Sequence, residues 1–162
     1  MDEFTTALVK LIEGFEGFRS RPYQDEAGVW TIGFGHTKGV TKDTPRVTRD
    51  EAIDLLLDDM QEAIDDVDDF LEVDVNDNQY AALVSIVYNA GTAVLEGHLG
   101  EYLNQGDFKA AAGQFDVWIY VSQKQPDGTV KKVKSNGLIS RRAAEKALFL
   151  TAVEEPATHN ID

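Results

Sequence analysis

Three residues near the start of the chain have the types and spacing of a hydrolytic site. Glu16 follows an apolar segment, Asp25 comes nine residues later in a turn-forming stretch, and Thr31 six residues after that. Cleavage of a glycosidic bond needs a protonated carboxyl for the leaving oxygen and a carboxylate that positions water or stabilises the cationic centre. A hydroxyl can orient that water. A surface acid, a turn former and a strand residue would show the same pattern, so residue types alone leave both interpretations open.

The flanking segments predict how these three side chains are positioned. An apolar repeat predicts a helix over 5–15 that Gly17 stops, so Glu16 falls in its last turn or just beyond. Alternation predicts a strand over 29–37, with bulky side chains on one face. The other face would leave room for a ligand against the backbone, and it carries Thr31, Gly33, Gly35 and Thr37. A turn over 25–28 would close a short hairpin.

The acidic charge is concentrated in one segment. The net charge is −14, and residues 50–77 carry thirteen acids and no base. This balance argues against non-specific binding to nucleic acid or to an anionic membrane. Thr48 and Glu51 form a capping-box pattern that predicts a helix to about Leu71. A solvated acidic face is the simplest interpretation; adaptation to high salt and a weak divalent-cation site are alternatives, although the segment lacks calcium-loop spacing.

The remaining chain predicts a helical lobe. Helices are expected over 80–89, over 92–106 as one or two short pieces, over 108–120 and over 140–153. A polar, basic stretch over 122–136 holds a Pro-Asp-Gly turn and predicts a hairpin or a loop. We expect one domain of 162 residues, with a small β-containing lobe over about 16–50, a connector helix over 50–77, a helical lobe over 78–153 near which the N-terminal helix packs, and a frayed tail over 154–162.

Composition narrows the class of protein further. The chain has no cysteine, which excludes disulfides, thiol catalysis and thiolate metal sites. No apolar run approaches the length of a membrane span. Charged residues interrupt the segment 1–18, so it does not have the pattern of a signal peptide. We therefore expect synthesis in a cytoplasm without an export signal of its own.

Four motifs resemble one enzyme family. Glu16, Asp25 and Thr31, followed by Ile-Gly-Phe-Gly-His-Thr over 32–37, resemble the tailed-phage lysozymes, or endolysins, of glycoside hydrolase family 24. The resemblance continues over 78–91 and 103–118 and in the Gly-Leu-x-x-Arg-Arg-x-x-Glu signature that starts at Gly137. It covers about residues 4–152 with the motifs in order. It implies a lysozyme-like α+β fold, with a small β-hairpin lobe and a larger helical lobe joined by a long helix.

The resemblance also implies a function. It points to a bacteriophage muramidase that cleaves the β-1,4 bond between N-acetylmuramic acid and N-acetylglucosamine in peptidoglycan, for host cell lysis. No cofactor or metal is expected, and neither nucleic acid nor stable membrane insertion is implied. The expected form is a monomer, made in the host cytoplasm, that reaches the wall after another protein has opened the membrane.

Residue roles follow from the same resemblance. Glu16 would be the general acid, while Asp25 and Thr31 hold and activate the attacking water, or Asp25 stabilises the cationic centre. The family is generally described as inverting, which predicts carboxyl groups about 6.5–9.5 Å apart. The matches to its cleft-lining positions are Thr37, Tyr88 and Asn89, although Tyr88 could equally be core.

Two residues are expected to support the site rather than to react. His36 would be a structural neighbour paired with an acid, and Arg141 would face Glu16 across the cleft. An exposed helix start is the alternative for Arg141 and Arg142. A local basic patch facing the wall is also expected, from Lys124, Lys131, Lys132 and Lys134.

Two other functions fit the same scaffold. A lytic transglycosylase uses one acid and no attacking water, so Asp25 and Thr31 argue against it. A wall-binding or structural protein with a dead site, for instance within a virion, is the second alternative. The presence of Glu16, Asp25 and Thr31 together weighs against that reading.

Overall fold

The computed structural model describes residues 1–152, which form seven α-helices and two antiparallel β-hairpins. The helices are α1 Glu3–Glu16, α2 Arg49–Phe70, α3 Asp77–Ala90, α4 Ala93–Glu96, α5 His98–Asn104, α6 Phe108–Gly113 and α7 Asn136–Leu150, with a 3₁₀ turn at Gln114–Val117. The strands are β1 Arg19–Gln24 with β2 Trp30–Gly33, and β3 Tyr120–Lys124 with β4 Val130–Lys134. The α+β class expected from the sequence is confirmed.

Helix α1 ends where the catalytic glutamate was predicted. The Asp2 side chain accepts a hydrogen bond from the Thr5 backbone N–H at 2.7 Å and caps the first turn. Gly17 adopts φ 68° and donates its N–H to the Glu13 carbonyl, which closes the last turn. Glu16 is therefore the last residue of the helix.

The strand predicted over 29–37 is wrong beyond Gly33. The chain reverses there, because Gly33 and Gly35 adopt φ 67° and 83°. Ile32 and His36 exchange both backbone hydrogen bonds, at 2.8 and 2.9 Å, across this reversal. A β-carbon at Gly33 would lie 3.1 Å from the Ala52 β-carbon, so Gly33 packs on α2 and leaves no room for a ligand. Alternation alone cannot show that a strand turns back on itself.

The acidic helix α2 begins and ends as predicted. Thr48 and Glu51 form the capping box, and Leu71 is the C-cap. The helix stays folded by burying one face, since its acids repel one another along the other. The buried residues are Ala52, Ile53, Leu56, Met60, Ala63 and Val67. This face packs against α3 and β2.

Helix α3 is the centre of the core. Asn76 and Gln79 form its capping box and Gly91 its C-cap, so the helix predicted over 80–89 begins three residues earlier, at Asp77. Residues 81–87 are all buried, and α1, α2 and α7 pack around them. The helix therefore connects, through direct packing, the elements that carry Glu16 and Arg141.

The C-terminal third differs from the prediction in its boundaries. The helix expected over 108–120 is α6 followed by the 3₁₀ turn, and Tyr120 already belongs to β3. The basic excursion is a hairpin whose Pro-Asp-Gly turn is closed by Asp127, which accepts from the Thr129 N–H at 2.9 Å. Helix α7 starts at Asn136 and not at residue 140, because the Ser135 hydroxyl caps it. The tail predicted over 154–162 lies outside the described residues.

Of the helices described, none combines the length and apolar character that crossing a membrane requires.

Candidate active site

Glu16 and Arg141 face each other as the sequence predicts. The Glu16 carboxyl, at the end of α1, lies 3.8 Å from an Arg141 guanidinium nitrogen on α7. The side chain of Glu16 is 41% exposed and that of Arg141 is 13% exposed. The guanidinium also stacks on the Phe15 ring at 4.5 Å, which fixes its plane. Glu16 is thus open to a ligand on one side and held by a largely buried cation on the other.

The chain reversal after β2 lies against the Glu16 carboxyl. A β-carbon placed on Gly35 would lie 3.3 Å from the carboxyl atoms of Glu16. Only glycine gives this close approach together with φ 83°. The β-hairpin lobe therefore touches Glu16 through backbone, a contact that the sequence analysis did not identify.

Asp25 and Thr31 are brought together around one residue of the hairpin turn. One Asp25 carboxylate oxygen accepts the backbone N–H of Ala27 at 2.9 Å and of Val29 at 2.8 Å. The Thr31 hydroxyl, which is buried, donates to the Val29 carbonyl at 3.0 Å. Among residues 1–152 the second Asp25 oxygen has no protein hydrogen-bond partner. This oxygen and the free lone pair of Thr31 are available to hold a water molecule.

His36 is paired with an acid, as predicted, and the acid comes from α2. Its Nδ1 lies 2.8 and 3.0 Å from the two Asp59 carboxylate oxygens, with both side chains largely buried. Because His36 follows the Gly35 reversal, this pair ties the reversal to α2. The arrangement makes His36 a structural residue beside the site. Thr37, the next residue, is exposed.

Tyr88 lies on the surface and not in the core. It is 47% exposed and lines a small groove with Asp59 and Thr92. Partial burial, assisted by the Asp59 carboxylate, raises the pKa of the Tyr88 phenol. The phenol therefore remains a hydrogen-bond donor at neutral pH, which suits contact with a sugar hydroxyl.

Behind Arg141 lies a buried charge cluster that the sequence analysis did not anticipate. Arg142 and Glu145, both fully buried, form an ion pair at 2.8 Å. Arg142 also donates to the Asn89 side-chain oxygen and, at 3.4 Å, to the Trp118 carbonyl. Glu145 also lies 3.9 Å from Arg141. Arg142 is therefore not part of an exposed helix start, and the i, i+3 spacing of Arg142 and Glu145 was the one available signal.

Burial sets the electrostatics of this cluster. It raises the pKa of the Glu145 carboxyl to about 7, although the Arg142 and Arg141 guanidinium groups oppose the change. Burial likewise lowers the pKa of Arg142. Within the part of the chain that is described, Glu145 Oε2, Ser85 Oγ and Arg141 Nε are buried without a hydrogen-bond partner. Burying polar atoms without hydrogen-bond partners lowers the stability of the folded protein, and such a cost is typical of functional sites.

Two adjoining grooves give a ligand access to these residues. The first, of about 530 Å³, includes Glu16, Asn89, Val121, Leu138 and Arg141 in its lining. The second, of about 880 Å³, shares Asn89, Val121 and Leu138 with the first. It then continues past Trp118 towards the β3–β4 hairpin. The two grooves adjoin at these shared residues, and Glu16 lines the first of them.

Comparison with known proteins assigns the chain to a family. Residues 13–145, which include every site residue described above, match the family described as phage lysozyme. The chain belongs to the phage lysozyme family. The resemblance to phage lysozymes seen in the sequence motifs is thus confirmed.

Individual phage lysozymes and related structures agree with this assignment. An endolysin of Bacillus phage B103 is 39% identical over 148 residues, which cover 90% of this chain and 53% of that protein. The endolysin of Escherichia coli O157:H7 phage FAHEc1 has 30% identity and a TM-score of 0.78, covering 96% of this chain and 98% of that one. The muramidase domain of SpmX from Asticaccaulis excentricus has 33% identity and a TM-score of 0.71, covering 94% and 100%. The chain spans about half the length of the B103 relative.

Proposed function

We propose that this phage lysozyme family member is an endolysin-type muramidase that hydrolyses the β-1,4 bond between N-acetylmuramic acid and N-acetylglucosamine in peptidoglycan. One observation carries the proposal. The Glu16 side chain is partly exposed and lines a groove that shares residues with a second one, with the Gly35 backbone on one side and the Arg141 guanidinium 3.8 Å away. A partly exposed carboxyl that lines a groove can reach the glycosidic oxygen of a polymeric substrate.

Glu16, Asp25 and Thr31 would divide the reaction between them. Glu16 gives its proton to the glycosidic oxygen as the C1–O bond breaks. A water held by the free Asp25 oxygen and Thr31 attacks C1, and its proton passes to Asp25. The backbone N–H groups of Ala27 and Val29 hold the other Asp25 oxygen and so aim the carboxylate. Because the water arrives from the face opposite the leaving group, we expect inversion at C1.

Three further residues would bind the glycan strand. Tyr88 offers a phenol, Thr37 a hydroxyl and Asn89 an amide whose oxygen is already engaged by Arg142. The strand would lie between the β-containing lobe over about 16–50 and the helical lobe from residue 78 onward. We further propose that the protein works as a monomer on the cell wall once the membrane has been permeabilised, in keeping with the endolysin names of its relatives.

Clearing of a peptidoglycan suspension tests the role of Glu16. We expect wild type to clear the suspension and Glu16→Gln to lose at least about a hundredfold in rate, since general acid catalysis contributes at least that much. Glu13→Gln is the matched control, because it removes a carboxylate of the same helix that pairs with Arg49 at the surface. Equal clearing by wild type and Glu16→Gln would refute the assignment.

The products separate hydrolysis from its alternative. Mass spectrometry of the digested wall should show reducing muramic acid ends that have gained water. Anhydro-muramic ends would instead identify a lytic transglycosylase. Proton NMR during the first minutes should show the α-anomer of the new reducing end, and an initial β-anomer would contradict inversion.

A further inference from the structure

The Arg141 guanidinium lies beside two carboxyl groups and makes a hydrogen bond to neither. One of its terminal nitrogens is 3.8 Å from Glu16, and its Nε is 3.9 Å from Glu145. Among the described residues, this Nε is buried and has no hydrogen-bond partner. Hydrogen bonds from a guanidinium to a carboxylate are about 2.7–2.9 Å long, so a shift of about 1 Å towards either carboxyl would complete one. Two acids therefore share Arg141 on almost equal terms.

Of the two groups in the buried contact, Arg141 is the one that can move. Glu145 Oε1 is held by Arg142, whose Nε and one terminal nitrogen both lie 2.8 Å away. Arg141 instead rests on the Phe15 ring, with 4.5 Å between the guanidinium carbon and the ring centre. Contact with the face of a ring has no fixed acceptor atom, so it restrains the plane of the guanidinium more than its position within that plane.

The charge on Glu145 changes near neutral pH. The groups that face this carboxyl are the Arg141 and Arg142 guanidiniums of its own helix and the Ser85 hydroxyl of α3, with Glu16 of α1 beyond Arg141. From the 3₁₀ turn, Asp116 pairs at the surface with Lys146, at 2.7 Å. Burial outweighs the two guanidiniums and raises the pKa of Glu145 to about 7. Glu145 Oε2 makes no hydrogen bond within the described chain, so a proton carried there disturbs no existing contact.

We propose that Glu145 is a positioning residue whose protonation state decides which carboxyl Arg141 pairs with. A neutral Glu145 leaves the guanidinium to Glu16, whereas an ionised Glu145 draws it inwards and away from Glu16. The effect on the reaction rests on the muramidase function proposed above, but the place of Arg141 does not. Because a displaced Arg141 no longer holds Glu16, cleavage slows as Glu145 ionises.

NMR of the Arg141 Nε–H group in the intact protein follows this displacement directly. Arg141→Lys identifies the signal by removing it. In wild type we expect the Nε and Hε chemical shifts to change in a step with its midpoint near pH 7, where Glu145 ionises. Glu145→Gln should abolish the step, because the amide stays neutral. A wild type without such a step would overturn the proposal even if Glu145→Gln failed to fold, and so would a step that persists in a folded variant.

The ratio of kcat for wild type to kcat for Glu145→Gln isolates the effect on the reaction, since titration of Glu16 is common to both proteins. Release of reducing ends from glycan strands gives kcat and KM. We expect a ratio of about one at about pH 5.5 that falls about three- to tenfold by about pH 8.5, with KM unchanged. A merely structural role for Glu145 would change the rate by the same factor at every pH.

Asp116→Asn is the matched control, because it removes a surface carboxylate that pairs with Lys146 of the same helix. Its kcat should keep a constant ratio to that of wild type across the pH range. A constant ratio for Glu145→Gln, or one that rises with pH, would refute control of the rate by Glu145. If wild type releases no reducing ends at any pH, the proposed muramidase function fails, and the NMR titration still decides where Arg141 lies.

Discussion

At the scale of single residues, Arg141 connects the reacting carboxyl to the interior. Its guanidinium lies 3.8 Å from Glu16 and 3.9 Å from Glu145, and it stacks on Phe15. Each contact restrains a different part of the side chain. We therefore expect Arg141 to act on the proposed reaction by holding Glu16 in place.

We expect Arg141→Gln to lower kcat at least about tenfold, because a small displacement of a catalytic group is costly. Arg141→Lys should recover only part of the rate, since an ammonium cannot reproduce the planar stack on Phe15. Turnover of glycan strands measures both effects. Arg49→Gln, which breaks the surface pair with Glu13, is the control, and equal rates for Arg141→Gln and Arg49→Gln would contradict the role.

Glu145 links the stability of the same cluster to pH. Burial raises its pKa from 4.5 to about 7 in the folded protein. Between these values the native state holds a proton that the unfolded chain has released. The free energy of unfolding therefore falls as pH rises through this window, by about 3 kcal/mol in total for this group.

The comparison of wild type with Glu145→Gln isolates this contribution. The neutral amide resembles the protonated carboxyl, so the two proteins should be similarly stable near pH 4.5. Above about pH 7 the difference in free energy of unfolding between Glu145→Gln and wild type should shift in favour of the variant, by up to about 3 kcal/mol relative to pH 4.5. Urea unfolding at several pH values gives the difference, and a difference that does not vary with pH would rule out the buried titration.

At the scale of elements, the reversal after β2 places the β-hairpin lobe against α1. Gly35 has both a positive φ and the Glu16 carboxyl 3.3 Å from its missing β-carbon. Gly39 also has a positive φ, of 73°, but open space around it. A comparison of substitutions at the two glycines therefore separates the effect of backbone strain from the effect of displacing Glu16.

We expect Gly35→Ala and Gly39→Ala to destabilise the protein by similar amounts, about 1–2 kcal/mol each, because alanine is strained at positive φ. Only Gly35→Ala should also lower kcat, since its methyl group pushes against Glu16. Thermal unfolding and turnover measure the two effects separately. A normal kcat for Gly35→Ala would show that the contact is not needed for the reaction.

At the scale of the whole molecule, the charge is distributed very unevenly. Thirteen acids lie within residues 50–77, most of them on the exposed side of α2, while the hairpin over 120–135 is basic. The row Asp54, Asp58 and Glu62 follows the i, i+4 spacing at which like charges repel. At low salt, the repulsion between these acids therefore lowers the free energy of unfolding.

We expect Asp58→Asn to raise Tm by about 1–3 °C in low salt, because it removes two repulsive neighbours. The gain should largely disappear in about 0.5 M NaCl. Glu96→Gln, an exposed acid at the end of α4, is the control and should show no such dependence. An equal gain at both salt concentrations would exclude repulsion as the cause.

Local sequence rules determined much of this protein. Gly17 predicted the end of α1, and Thr48 with Glu51 predicted the start of α2, because a cap depends only on side chains within one turn. The Pro-Asp-Gly turn predicted the second hairpin for the same reason. The resemblance to the phage lysozymes singled out Glu16, Asp25 and Thr31 as a proposed site, and Arg141 as a residue that faces Glu16.

Tertiary structure alone decided the surroundings of those residues. Gly33 and Gly35 fit an alternating strand by pattern, yet packing on α2 and contact with Glu16 turn the chain back between them. Arg142 and Glu145 have the composition of a surface pair, yet α3 and the 3₁₀ turn cover them completely. Burial is set by elements distant in sequence, and it is burial that gives Glu145 its raised pKa and Arg141 its position beside the Glu16 carboxyl.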